Sequence, residues 1–227
     1  MKRVLRTPFE RFVKPTQLAL RRLTSMAVDR RFGIRTTDEH VAADLGLEVS
    51  RYRRTWRAWG WSGVFRVLHG LRPEPDDVLL DIGCGAGRMV CAATRRPFAR
   101  VIGLEIDPAF AAIAQSNVAS LRGPQCSAEV LNLDARTYEV PDDVSIVFLY
   151  NPFQGTVFDQ VMDRVLDSYE RVPRRLRVVY ANPVESERLA IRGRFSTTRR
   201  MRLSWRPGAN WVVSQEVVTY EIVGSHA

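Results

Sequence analysis

"LLDIGCGAGRMV", residues 79 to 90, runs from strand-forming residues and an acid into three glycines at alternate positions, Gly83, Gly85 and Gly87, and then into helix-forming residues. Strand, glycine turn and helix in that order build a cradle at the carboxyl end of a first strand. Glycine permits the sharp turn and leaves no Cβ between backbone and ligand. Free N–H groups at a helix start favour a negatively charged group. The spacing is not the G-x-G-x-x-G of a dinucleotide fingerprint, so its meaning depends on the rest of the chain.

Downstream of the glycines the pattern alternates regularly. Apolar runs at 77–82, 100–106, 127–133, 144–150 and 175–181 are separated by helical patterns at about 88–96, 108–121 and 156–171. Strands covered by helices on both faces form a parallel sheet, because parallel neighbours need a crossover between them. The expected fold is a doubly wound, Rossmann-like α/β domain with a mostly parallel sheet. At the tail, "STTRRMRLSW" and "WVVSQEVVTYEIV" flank the turn "RPGAN", which predicts an antiparallel hairpin along one sheet edge. The second strand ends in Glu105, 18 residues beyond Gly87, where an acid can accept hydrogen bonds from both ribose hydroxyls of a nucleoside. The third is followed by Asp134, so Asp81, Glu105 and Asp134 are expected at one sheet end.

With these stretches in place, "LLDIGCGAGR", "VIGLEIDP", "AFAAIAQSNV", "LNLDA" and "FLYNPF" resemble the successive motifs of the class I S-adenosylmethionine-dependent methyltransferases. The resemblance covers residues 76 to about 183 and, through the hairpin, to about 223. It implies S-adenosyl-L-methionine as cofactor. By position, Asp81 and the turn Gly83, Cys84, Gly85 and Gly87 would hold the methionine end, Glu105 the ribose hydroxyls, Ile106 the adenine face, and Asp134 with Ala135 the exocyclic amine. The whole chain is also similar to a bacterial group of such enzymes that share a pattern like "RRFGIRT" ahead of the domain and both "FLYNPF" and "Y-x-NP" endings. That resemblance implies the methyl donor and leaves the acceptor open.

Two strands end alike, in "VFLYNPF" at 147–153 and "VVYANP" at 178–183. In the implied fold the fourth strand ends opposite the reactive methyl, which makes Tyr150, Asn151, Pro152 and Phe153 candidate acceptor-site residues. A residue before proline favours extended backbone, and proline supplies no N–H. The strand is therefore expected to stop abruptly with carbonyls free to receive a substrate. The ending resembles the Asn-Pro-Pro-aromatic motif of methyltransferases acting on amide or base nitrogens, but the second proline is missing. Asn182-Pro183 reads equally well as a plain turn.

Residues 1–72 read as a basic helical extension or lid ahead of a donor-binding domain at 73–227. Residues 1–35 carry ten Lys or Arg against Glu10 and Asp29, and most of the chain's net charge of +9 lies there. Such an arm suits phosphates on nucleic acid or an anionic membrane surface, although arginine is abundant throughout. From Pro15 to about Phe32 the pattern predicts a helix with Leu20, Leu23, Met26 and Ala27 on the face that covers the domain. Thr36 with Glu39 reads as a capping box for a second short helix. Tyr52, Trp56, Trp59 and Trp61, interleaved with arginines, form either a stacking surface for a ligand or a clamp of the arm onto the core.

No apolar stretch approaches the ~20 residues that span a bilayer, and the N-terminus does not read as a secretory signal, so a cytoplasmic protein is expected. Cys84, Cys91 and Cys126 lack C-x-x-C spacing, which argues against a disulfide framework or zinc site; no metal is expected. A sulfonium donor needs alignment more than acid and base, and His40, His69 and His226 stand alone in the sequence. The function expected is methyl transfer to an O or N atom of a small or saccharide-like acceptor. A protein Lys or Arg side chain, or a nucleic-acid or membrane-surface module with a non-catalytic pocket, are the alternatives, and self-association is left open.

Overall fold

The computed structural model describes residues 14–37, 41, 44, 59–203 and 215–224. Its elements run α1 (Lys14–Phe32), α2 (Trp61–Leu71), β1 (Val78–Ile82), α3 (Arg88–Ala93), β2 (Arg100–Glu105), α4 (Pro108–Ser120), β3 (Ser127–Asn132), β4 (Ile146–Tyr150), α5 (Thr156–Arg171), β5 (Arg177–Ala181), α6 (Ser186–Ile191), β6 (Phe195–Leu203) and β7 (Gln215–Ile222). One seven-stranded sheet has the order β3-β2-β1-β4-β5-β7-β6. Neighbours from β3 to β5 pair in parallel, while β7 runs antiparallel to both β5 and β6. The hairpin expected at the tail is present, with its second strand lying between β5 and its first.

Alternation along the strands sorts two cores. Leu79, Val101, Ile146, Phe148 and Val179 face one cluster, and Val78, Leu80, Ile102, Leu104, Val147, Leu149 and Val178 face the other. Both faces are covered because α5 presents Phe158, Val161, Met162 and Val165 at helical spacing to the second cluster, while α2 presents Val64, Val67, Leu68 and Leu71 to the first. The first cluster also takes Phe32, Ile34, Trp59 and Trp61, so the segment read as an extension shares a core with the sheet. Strand order reverses between β1 and β4, and in open α/β sheets the ligand crevice lies at the carboxyl ends of the strands at this point.

α1 corrects the sequence reading. Leu20, Leu23 and Met26 are 45%, 64% and 40% exposed. Among its described side chains the buried ones are Ser25, Asp29 and Phe32. Periodicity finds a stripe but cannot say which side a neighbour covers; here a polar network decides. Asp29 accepts hydrogen bonds from Thr36 N (2.5 Å), Thr36 Oγ1 (2.9 Å), Thr37 N (2.9 Å) and Trp61 Nε1 (2.9 Å). Thr36 Oγ1 is thus committed to Asp29, while Glu39, its expected capping partner, lies outside the described residues. So do His40, His226, the basic residues before Lys14, Tyr52, Trp56 and the hairpin turn. Among the described residues no helix is long and apolar enough to cross a membrane.

Candidate active site

The glycine turn is fastened from below. Gly83 N and Cys84 N both donate to Leu104 O (2.9 Å each), and Gly87 N donates to Cys84 O (2.9 Å). Gly83, Gly85 and Gly87 have φ of +74°, +55° and +79°, left-handed values that favour glycine. A Cβ on Gly83 would stand 2.6 Å from Pro152 Cβ, whereas one on Gly85 would meet nothing within 4 Å. Gly83 therefore lets β1 and β4 close on each other at the switch point, and Gly85 leaves open space above the turn. Several loop N–H groups expected to be free are used internally: Gly85 N donates to Glu105 Oε2 at 2.8 Å. Cys84 contributes packing, its Sγ tucked beneath the turn toward Gly103, and burial raises its thiol pKa well above the ordinary value.

Two acids meet here. Glu105, 9% exposed, also accepts from Asp107 N at 3.0 Å. Asp81 is 3% exposed, and no described residue donates a hydrogen bond to it. Burial first, and the charge of Glu105 second, push the Asp81 carboxyl up to about 8. A buried acid without a donor beside a second acid suits a cationic group. Ile106, 63% exposed, offers an apolar surface next to Glu105, its carbonyl held by Asn132 Nδ2 at 3.0 Å. A buried acid for an ammonium, an acid for sugar hydroxyls, an apolar face for a base and room above Gly85 fit S-adenosylmethionine.

Asp134 is less simply placed. Its carboxylate accepts from Arg136 N (2.9 Å), Nε (2.9 Å) and Nη2 (2.5 Å), and these bonds hold its pKa below the usual range. An adenine amine at Asp134 must share it with Arg136. Ala135 packs against the second core cluster.

On the acceptor side, Tyr150 pairs in register with Ala181, so Asn151 and Asn182 follow side by side. Their φ values are +42° and +52°. The proline after Asn151 leads one to expect extended backbone there; the chain instead turns through the left-handed region, which asparagine tolerates better than other residues with a side chain. That is the physical reason for asparagine at both strand ends. Tyr180 OH accepts from Glu185 N (3.4 Å) and donates to Asn151 Oδ1 (3.3 Å). Asn151 Nδ2 is left with no partner among the described residues, without being buried. Tyr150 stacks on Trp59 at 5.2 Å between ring centroids, and Phe153 leans on Phe158 at 6.3 Å, so both rings serve packing as well as lining. The loop is pinned where Glu185 accepts from Gly155 N at 3.0 Å. Asp159 is held by Arg188 and Arg192.

Sequence reasoning passes over Arg88, Asn117, Tyr180 and Glu185. Arg88, 8% exposed, donates to Thr36 Oγ1 (2.8 Å), Thr36 O and Trp59 O (2.6 Å). Asn117 donates to Ala86 O (2.9 Å) and Arg35 O (3.2 Å) and accepts from Arg35 N (2.7 Å). Together they lash the "RRFGIRT" segment to the glycine turn; the motif itself is the available signal. Trp59, stacked on Phe148 and Tyr150, and Trp61, on Asp29, act as the clamp. Among the described residues no cluster is arranged to hold a metal.

Residues 79–175 match the model of a family described as a methyltransferase domain. No curated protein matches the chain by sequence. Solved structures share the fold: an RNA methyltransferase from Salinibacter ruber (21% identity, 73% of this chain and 94% of that one, TM-score 0.54), magnesium protoporphyrin IX methyltransferase from Synechocystis PCC 6803 (16%, 71% and 79%, 0.53) and N-methyltransferase NodS from Bradyrhizobium japonicum WM9 (9%, 72% and 85%, 0.55). Residues 79–175 thus form a methyltransferase domain, and the fold that carries it is the one these structures share, which together support an S-adenosylmethionine-dependent methyltransferase. S-adenosyl-L-methionine is the methyl donor that this match and the crevice residues support.

Proposed function

We propose that the protein transfers a methyl group to an O or N atom of a small, saccharide-like molecule, with oxygen favoured. The observation that carries this is the rim beside Gly83, where Asn151 and Asn182 end adjacent strands. Because Tyr180 occupies Asn151 Oδ1, the carboxamide offers Nδ2 as a donor, which matches a hydroxyl or carboxylate oxygen better than an amine. Trp59, stacked on Tyr150, and the 33–37 segment tied to it through Arg88 border the same rim, which supports a compact acceptor. The arginine run from Arg188 onward, a feature that would favour nucleic acid, is largely consumed: Arg188, Arg192, Arg194 and Arg200 pair with Glu185, Asp163, Glu170 and Glu216.

Bound S-adenosylmethionine supplies an electrophilic methyl on a sulfonium. Asp81 would hold the ammonium of its methionine end with the glycine turn, Glu105 the ribose hydroxyls, Ile106 the adenine face, and Asp134 with Ala135 the exocyclic amine. Asn151 orients the acceptor, and Pro152, packed on Gly83, fixes the distance between the two halves of the crevice. Alignment and exclusion of water are the contributions these residues make.

Incubating the protein with 13C-methyl donor and a host-cell extract tests this reading. The expected result is label in the small-molecule fraction with the carbon shift of an O-methyl group. Label in protein or nucleic acid would overturn the small-molecule acceptor, and an N-methyl shift would overturn the preference for oxygen.

A further inference from the structure

The outward face of α1 is apolar and carries no exposed acid. Leu20, Leu23 and Met26 stand out at 45%, 64% and 40% exposure, with Ala19 and Ala27 exposed beside them. Spacings of three and four put these five on one stripe, which continues into exposed Arg30. Asp29, the helix's one acid, lies on the opposite side, 1% exposed and committed to Thr36, Thr37 and Trp61. The helix is thus seated by its polar side and shows its leucines to the outside.

The charge around the stripe says what covers it. Arg22, Arg30 and Arg31 are exposed on the same helix, and Arg122 is exposed across from it. Met26, Ala27, Arg30, Arg31, Ile34 and Arg122 line a cleft of 820 Å³. Ahead of the described residues the sequence adds Lys2, Arg3, Arg6 and Arg11 against Glu10 alone. Leucines and methionine flanked by arginines match the interface of an anionic bilayer, where the apolar stripe enters the headgroup boundary and the guanidinium groups meet phosphates. A nucleic acid would satisfy the arginines and leave Leu20, Leu23 and Met26 in water.

We propose that α1 docks the protein on an anionic membrane surface.

The full chain, sedimented with vesicles of phosphatidylcholine alone or with about one part phosphatidylglycerol to two of phosphatidylcholine, tests the proposal. Wild type is expected on the anionic vesicles and not on the neutral ones, with retention falling steeply as salt rises. Leu23→Glu with Met26→Glu should cut the bound fraction by about tenfold, as should Arg30→Glu with Arg31→Glu, and both double variants should keep the wild-type thermal midpoint. Four results overturn the proposal: no retention of wild type, equal retention on neutral vesicles, variants that bind as wild type does, or a lowered midpoint for Leu23→Glu/Met26→Glu, which would mean that the chain itself covers the stripe. Retention on RNA that survives Leu23→Glu/Met26→Glu, with vesicles ignored, would assign the arginines to nucleic acid instead.

Discussion

Two aspartates mark the ends of β1, and the sheet treats them oppositely. Asp77, at the entering end, accepts from Arg177 Nη2 (3.0 and 3.1 Å), Ser145 Oγ (2.6 Å) and Glu74 N (3.0 Å). Asp81, at the leaving end, is as deeply buried and takes no hydrogen bond from a described residue. Burying a carboxylate is costly unless donors and a countercharge replace the lost water. At the lower edge the protein supplies them and gains a fixed fold. At the upper edge they are left out, and the carboxyl keeps its proton to about pH 8. On the proposed function, the difference separates an acid that belongs to stability from one that would meet a ligand's charge.

The sharpest way to break this contrast is at the lower edge. Arg177→Met strands the Asp77 carboxylate, and chemical denaturation should show a loss of about 3–5 kcal/mol; an unchanged midpoint would remove the structural role. At the upper edge, Glu105→Ala should weaken calorimetric binding of the demethylated donor by about 1.5–3 kcal/mol, the scale of lost charge-assisted hydrogen bonds, while the fold persists.

Asp81 gives a pH signature that is spread over several units and small at each step. Its folded pKa lies above the unfolded value, so the folded chain holds the proton more tightly between about pH 4 and pH 8. Stability should fall as pH rises through that window and level off above it, and Asp81→Asn should flatten the slope. If Asp81 holds the donor's ammonium as proposed, binding needs the charged acid, and affinity should rise up to about tenfold per pH unit between roughly pH 6 and 7.5, or about 1.4 kcal/mol per unit. A flat profile would mean that no ammonium meets Asp81. Smallest of all, Leu23→Ser on the outer face of α1 should shift stability by no more than about 0.5 kcal/mol; a larger loss in thermal unfolding would return that leucine to the core.

The sheet is legible in the sequence because its signals are local and repeated. Apolar runs of strand length alternating with helices locate β1 to β5, and the glycine turn with Glu105 marks the crevice edge. The features that escape depend on partners far apart in the chain. The position of β7 between β5 and β6 is a choice of pairing that hairpin residues alone do not make. Asn151 turns through positive φ against the preference set by Pro152, because asparagine tolerates that region. Periodicity alone turns the leucines of α1 inward, whereas the bonds of Asp29 to Thr36, Thr37 and Trp61 set the opposite face. Arg88 and Asn117 are invisible as ties because arginine and asparagine on short helical runs look like solvated surface until their buried partners are known.

The central claim is that the donor lies across the carboxyl ends of β1 and β2 with its sulfur toward Asn151. A crystal structure with S-adenosylhomocysteine tests it most directly. The account predicts both ribose hydroxyls within hydrogen-bonding distance of Glu105 and the amino group beside Asp81. A nucleoside seated elsewhere, with Gly85 N still bonded to Glu105 and no group against Asp81, would contradict it.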